Sequence, residues 1–426
     1  MLLWSGQTVS EVGSSVTMLA LPLGAVVLLK AGTFQVGLLT SATTLAFAVI
    51  ALPAGALVDR RPKRGVMLAC DAVRVLIIAS VPLAWAAGAL TLAQLYVVAV
   101  AAGTCTVFFD VSYQSYLPAL LKQEHLIDGN GKLGASQSLA QLLGPGLGGG
   151  LVGAFGVAGA MGADAASYAV SIASLLAIRH REPAGEPRAS KGASEPGLRT
   201  DIAEGLTFVT GHPILRKVVA CSGTSNLFSS AAIAVDVIFL VRVLHVRPAY
   251  TGLVFSGSAI GGIAGGVLAR RLSARIGSAR IIWFSVLVFG APQVLAALAT
   301  PGWGAVLFSA GWGCYLFAIV VYNVAQVSYR QAICPPHLMG RMNAAVRWIV
   351  WGTMPLGGVI GGALGTAIGV RPTLAISLVG SWAAGFWVYF SPLRRLRDIP
   401  SSDRASPRLD DRVTFTPEPA PGRDQG

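Results

Sequence analysis

Apolar stretches of roughly 20 residues recur along the whole chain, and each is long enough to cross a bilayer as a helix. They read as twelve spans at 3–30, 34–58, 66–88, 91–118, 132–155, 157–179, 215–241, 249–270, 280–299, 303–328, 338–368 and 372–391. Only 12% of residues are charged and mean hydropathy is +0.66, where a soluble domain carries about 25% charged residues. The chain therefore meets lipid, and since a lone segment in hydrocarbon must satisfy its own backbone, the spans are helices. The 51 glycines suit close packing of membrane helices.

The net charge of +13 follows from topology rather than from nucleic acid. If the first span starts inside, all but four of the 32 lysines and arginines fall on or near the cytoplasmic side. Lys30, Arg242, Arg247 and Arg371 are the exceptions. This is the positive-inside bias, and it places both termini in the cytoplasm of a multi-pass cell-membrane protein. Met1 sits directly on the first span without a basic lead, so no cleaved signal peptide is expected.

The five cysteines and five histidines are scattered, without metal-ligand spacing. No nucleophile elbow, zinc-binding helix or phosphate-binding loop occurs. Neither an enzyme nor an ATP-driven pump is expected, and no cofactor or metal.

The chain divides at 180–214, a segment with Pro183, Pro187, Pro196, many charges and then a helical stretch. It reads as a cytoplasmic linker between a bundle at 1–179 and another at 215–391. The tail, 392–426, is rich in Pro, Arg and Asp and is expected to be disordered. The two halves repeat at an offset of about 210 residues. SYLPALLKQEHL (115–126) parallels SYRQAICPPHL (328–338), and PGLGGGLVGAFGV (145–157) parallels PLGGVIGGALGTAIGV (355–370). GALVDRRPKRGVML (55–68) has a weaker counterpart in GGVLARRLSARIGSARII (265–282). Two repeated six-helix halves are a transporter architecture.

Two motifs carry a family resemblance. Gly55, Leu57, Asp59, Arg60, Lys63 and Arg64, between spans two and three, match the gating-loop motif of the major facilitator superfamily, with Pro62 in place of its usual glycine. A basic anchor accounts for the cations but not for Asp59, which can cap a helix or pair with guanidinium groups; the resemblance implies a latch favouring the outward-facing state. Gly144, Pro145, Gly148 and Gly149 in span five resemble the antiporter motif of exporters, with Ala140 replacing its first glycine. A plain packing face is the rival reading, and Pro355-Leu-Gly357-Gly358 in span eleven supports it. The arginine that drug exporters carry in span four is missing. Over residues 1–392 the chain resembles the macrolide-efflux and enterobactin-exporter branch. That resemblance implies a twelve-helix, all-α integral membrane fold of two pseudo-symmetric six-helix bundles, and a monomer.

Intramembrane charges are costly and mark function. At 1.5 Å per residue, Glu11 and Asp110 each lie roughly 12 Å from the cytoplasmic end, on spans that line the cavity of the N-terminal half in this fold. They are the proton-coupling candidates; static pairing with Arg74 or Arg347 is the alternative. Asp71 and Arg74, three residues apart, are expected to pair with each other or with the Asp59 loop. Asp164 and Asp236, nearer the outer face, are expected to be structural, with Arg242 close to Asp236. Polar candidates for the substrate cavity are Gln7, Ser10, Gln114, Gln137, Gln141, Asn226, Asn323 and Gln326. Phe108, Tyr113, Trp312 and Tyr322 are the aromatic candidates. An amide-and-aromatic lining suits an amphipathic ligand. The expectation is a secondary active exporter of a small amphipathic molecule (a drug, antibiotic or siderophore-like metabolite), working by alternating access and proton antiport, with lipid, substrate and protons as its partners. An importer on the same fold, or a non-transporting membrane sensor or assembly protein, are the rivals.

Overall fold

A computed structural model describes residues 2–59, 61–120, 126–178, 198–334 and 338–398. The first half is built from α1 (Leu2–Val27), α2 (Thr33–Asp59), α3 (Lys63–Ala86), α4 (Leu92–Leu120) and the 52-residue α5 (Leu126–Ala177). The last is two spans. At Gly156 the backbone takes φ 71°, ψ 174°, a conformation that glycine adopts at little cost, and the chain turns back. After the short α6 (Leu198–Gly211) come α7 (Leu215–Ile238), α8 (Pro248–Ile276), α9 (Arg280–Phe284), α10 (Gly304–Ile333), α11 (Met339–Ala367), α12 (Val370–Ala383) and α13 (Gly385–Tyr389). Ten stretches among the described residues are long and apolar enough to cross a membrane. One of these, Leu139–Ala177, holds both arms of α5, and the final span is α12 continued by α13. The fold is an all-α, twelve-helix membrane bundle.

Two spans depart from regular α-helix. The ninth runs from α9 through a π turn (Ser285–Phe289) into a 3-10 segment (Ala291–Leu298). Pro292 lacks the backbone donor an α-helix needs there. The seventh ends in a π turn at Phe239–Val243. Residues 399–426 of the tail expected to be disordered lie outside the described residues, but its first stretch is ordered. Residues 392–398 fold back, with Leu393 fully buried beside Ile281, Ile282 and Val388. An apolar residue that finds a core site orders its neighbours.

The halves meet along two seams, α2 with α11 and α5 with α8. Glycine rows make both. On α5, Gly148 packs on Val16 of α1, while a Cβ added to Gly149 would stand 2.7 Å from the Ala249 carbonyl oxygen of α8. On α11, Gly357 and Gly361 pack on α7, while Gly358 and Gly362 pack on α2; a Cβ at Gly362 would stand 3.0 Å from Gly37 Cα. Each glycine row therefore serves two helices, one in its own half and one across the seam. Hydrogen bonds reinforce both seams: Ser41 Oγ donates to Pro355 O (2.8 Å) and Ser256 Oγ to Leu142 O (3.1 Å). Arg242 donates to Ala31 O at 2.7 Å. These closest approaches lie toward the end of the bundle that carries the α1–α2 and α7–α8 connections, away from the end that carries Asp59 and the 60s loop.

Candidate functional site

The charge at the centre of the first half is organised by α3. Its apolar face buries Met67, Ile78 and Val81, and the same buried face carries Asp71 and Arg74. Asp71 is fully buried and Arg74 is 4% exposed. Arg74 Nη1 stands 3.2 Å from Asp71 Oδ1, and the other carboxylate oxygen accepts a 2.7 Å bond from Ser171 Oγ on the second arm of α5. The guanidinium lies between two rings, 5.0 Å from the centroid of Phe109 and 5.1 Å from that of Tyr168. A buried cation needs this enclosure of carboxylate, hydroxyl and ring faces. Tyr168 in turn shares a 2.8 Å hydrogen bond with Ser14 of α1.

Glu11 and Asp110 flank this pair. Gln7 Nε2 donates to Glu11 Oε1 at 2.9 Å. The charged groups facing Asp110 are Arg74, Glu11 and, from the opposite half, Arg347. Tyr113 faces both carboxylates. The two coupling candidates thus share a neighbourhood that includes Arg74 on α3. Asp164 is also within reach of Arg74; it accepts from Ser167 Oγ at 3.1 Å and is 1% exposed.

The remaining candidates separate. Gln137 and Gln141 on α5 and Asn323 on α10 are exposed. Arg347 is exposed too and stacks on Trp351, 4.8 Å from its centroid. Asn226 is tied to the Val350 carbonyl (3.2 Å). Trp312 and Tyr322, expected at the cavity, instead pack inside the second half. Trp312 joins the cluster of Phe239 and Phe308, and the Tyr322 hydroxyl is bound by Ser222 (2.8 Å) and the Val218 carbonyl (3.0 Å). Gln326 is also buried, bonded to Asn323 at 3.4 Å. The side chain of Gln114 lies outside the described residues. Asp236, buried at 2% exposure, lies beside Trp312 rather than pairing with Arg242.

In the gating loop, Arg60 and the Asp59 side chain lie outside the described residues, Gly55 lies within α2, and Leu57 is exposed. Lys63 Nζ donates to the Val58 carbonyl at 2.6 Å, and Arg64 Nε to the Leu175 carbonyl at 3.0 Å. Both cations thus cap helix C-termini, where the last carbonyls lack intrahelical donors. In the antiporter-like motif, Gly144 and Gly148 face α1, while Gly149 and the Pro145 carbonyl face α8. Sequence reasoning did not single out Phe109, Tyr168 or Ser171 as partners of Arg74. Their signal was the occurrence of aromatic and hydroxyl residues in otherwise apolar spans.

Multidrug efflux pump Tap of Mycolicibacterium fortuitum is 25% identical over 399 residues, covering 91% of this chain and 94% of that protein. Tap of Mycobacterium tuberculosis is 28% identical over 417 residues, covering 92% and 93%. A mutant of the nucleoside transporter NupG superposes with a TM-score of 0.73 at 14% identity, covering 91% of this chain and 98% of that one. A bacterial homologue of the iron transporter ferroportin, in an inward-facing state, gives 0.72 at 15% identity, covering 91% and 97%. Likeness at such identity shows the fold. Residues 1–417 match the transmembrane secretion effector family, and the chain belongs to that family of major facilitator superfamily transporters.

Proposed function

We propose that this transporter exports small amphipathic molecules across the cell membrane by alternating access, driven by protons moving inward. One observation carries the reading: a single buried guanidinium, Arg74, pairs with Asp71 and lies within electrostatic range of Asp110, Glu11 and Asp164 in the same half of the bundle. Carboxylates that compete for one cation exchange protons and partners together, which is what coupling requires. With both termini in the cytoplasm, the seams at the α1–α2 end close the outer side. The arrangement then corresponds to an inward-open state, and export opens those seams. Exposed Gln137, Gln141, Asn323 and Arg347 offer amide, cationic and stacking contacts to a substrate entering between the halves. The named activity of the Tap relatives, multidrug efflux, supports export over uptake.

Reconstituted transport under an imposed pH gradient, run beside thermal unfolding, tests the coupling. Glu11→Gln or Asp110→Asn removes accumulation against a gradient but keeps substrate exchange, because a neutral carrier binds without cycling a proton. If both variants retain full pH-driven accumulation, neither group carries the proton. If both fail to fold, the cluster is a static ion pair instead.

A further inference from the structure

Arg347 stands apart from the other charges near the centre of the bundle. Arg74 is buried and Glu11 and Asp110 are half-buried, but Arg347 is exposed. It belongs to α11 of the second half, yet it lies within electrostatic range of Asp110 on α4 of the first. Its open surface therefore borders the space between the halves. Among the described residues, its guanidinium makes no hydrogen bond and no ion pair. The neighbouring acids are already engaged: Glu11 accepts from Gln7, and Asp110 faces Arg74 as well as Arg347.

Two rings accompany this cation. Its guanidinium carbon lies 4.8 Å from the centroid of Trp351, one turn further along α11. Trp351 meets Phe47 of α2 edge to face, with centroids 5.2 Å apart and planes at 71°. The ring pair thus crosses the α2–α11 seam. Both rings are half-buried, so each keeps open surface. A cation over an indole is a common packing contact, and packing accounts for the covered face of the guanidinium. It does not account for a membrane-span charge whose donors all remain unclaimed by protein, since such charges are costly and mark function.

We infer that this corner of the central space recognises small aromatic acids, the ligand's carboxylate pairing with Arg347 and its ring packing against Trp351 and Phe47. The planar guanidinium fork matches a carboxylate through two parallel hydrogen bonds. An organic cation meets its own sign here and gains no such pair. The inference rests on the proposed export reading for the ligand's role as cargo, and narrows that cargo from amphipathic molecules to amphipathic acids. Because Phe47 and Trp351 belong to opposite halves, the grip on the ring depends on how the halves sit, which ties occupancy to conformational state.

Equilibrium dialysis of the full-length protein in lipid nanodiscs, with empty nanodiscs as the blank, tests this with three probes that share one ring: 2-naphthoate, 2-naphthamide and 2-naphthylmethylammonium. The natural sequence binds naphthoate more tightly than the other two. Arg347→Gln weakens naphthoate binding by about 10- to 150-fold, as loss of a hydrogen bond to a charged group does, and leaves the amide unchanged. Arg347→Lys, which keeps the charge without the fork, restores part of the loss. Phe47→Ala weakens naphthoate and naphthamide alike. Arg275→Gln, which removes an exposed cation at the end of α8, changes neither. Equal or undetectable binding of the three probes, tighter binding of the ammonium, or unchanged naphthoate affinity in Arg347→Gln overturns the inference. Efflux of naphthoate from proteoliposomes is read separately: selective, Arg347-dependent binding without efflux overturns the export reading and leaves the aromatic-acid site standing.

Discussion

On the proposed alternating-access reading, Gly149→Ala weights the two states of the transporter unequally. The new Cβ stands 2.7 Å from the Ala249 carbonyl oxygen, 2.9 Å from Gly252 Cα and 3.0 Å from Gly252 N. All three are backbone atoms of α8, so no rotamer change relieves them and the seam itself must part. Overpacking of this kind costs about 1–3 kcal/mol. The cost falls only on the state with the α5–α8 seam closed, which amounts to a shift of about 5- to 150-fold toward the open seam. Gly150→Ala is the matched control, because a Cβ there meets nothing within 4 Å. Spin labels on cysteines replacing Phe155 and Tyr250, exposed residues near the seam on α5 and α8, report its width by pulsed dipolar spectroscopy. Gly149→Ala lengthens the dominant distance and slows efflux, and Gly150→Ala does neither. Identical distance distributions and efflux rates in the two variants would refute the reasoning, because the seam would then not be a moving contact.

Removing one partner of the Asp71–Arg74 pair strands a buried charge, so Arg74→Ala lowers stability by about 3–5 kcal/mol. Thermal unfolding in detergent reads the loss, and the Asp71→Leu/Arg74→Met double variant recovers most of it. The Ser278 backbone N–H, then its hydroxyl, holds the Asp398 carboxyl below its ordinary value of 3.8. A depressed pKa means that the stabilisation is present above the ordinary value and is lost as pH falls through the lower one. A spin label at Leu396→Cys therefore keeps constant mobility at neutral and mildly acidic pH and loosens only below pH 3.8. For topology, single cysteines replacing Ala31 and Gly302 in a cysteine-free background react with an impermeant thiol reagent in intact cells, and labelling at residue 190 instead reverses the assignment.

Much of the architecture was legible because lipid allows few solutions: apolar length announces each span, and the repeat pairs spans five and eleven. The reversal at Gly156 was legible as a boundary between spans five and six for the same reason. The irregular ninth span was not, since Pro292 deletes a donor without changing hydropathy. Nor was the docked segment at 392–398, where composition argued for solvent and one leucine decided otherwise. Asp71 and Arg74 could be paired from spacing alone. Their enclosure by Phe109, Tyr168 and Ser171 depends on how three helices pack, which no local pattern encodes. Trp312 and Tyr322 misled for a related reason. An aromatic on a cavity-lining span has several faces open to it, and core packing claimed these two.

The two halves repeat in shape but not in charge. Both seams use glycine rows with the same division of labour, one glycine toward the home bundle and the next across the seam. Among the described residues, the buried ion cluster has no such twin. Asp71, Arg74, Asp110, Glu11 and Asp164 all belong to the first half, while the second half's buried carboxylate, Asp236, sits beside an indole without a cation. On the proposed reading, symmetry supplies the hinge and asymmetry the coupling. Seam substitutions then change the rate of exchange and of driven transport alike, because both need the motion. Cluster substitutions spare exchange and abolish accumulation, because only accumulation needs the proton.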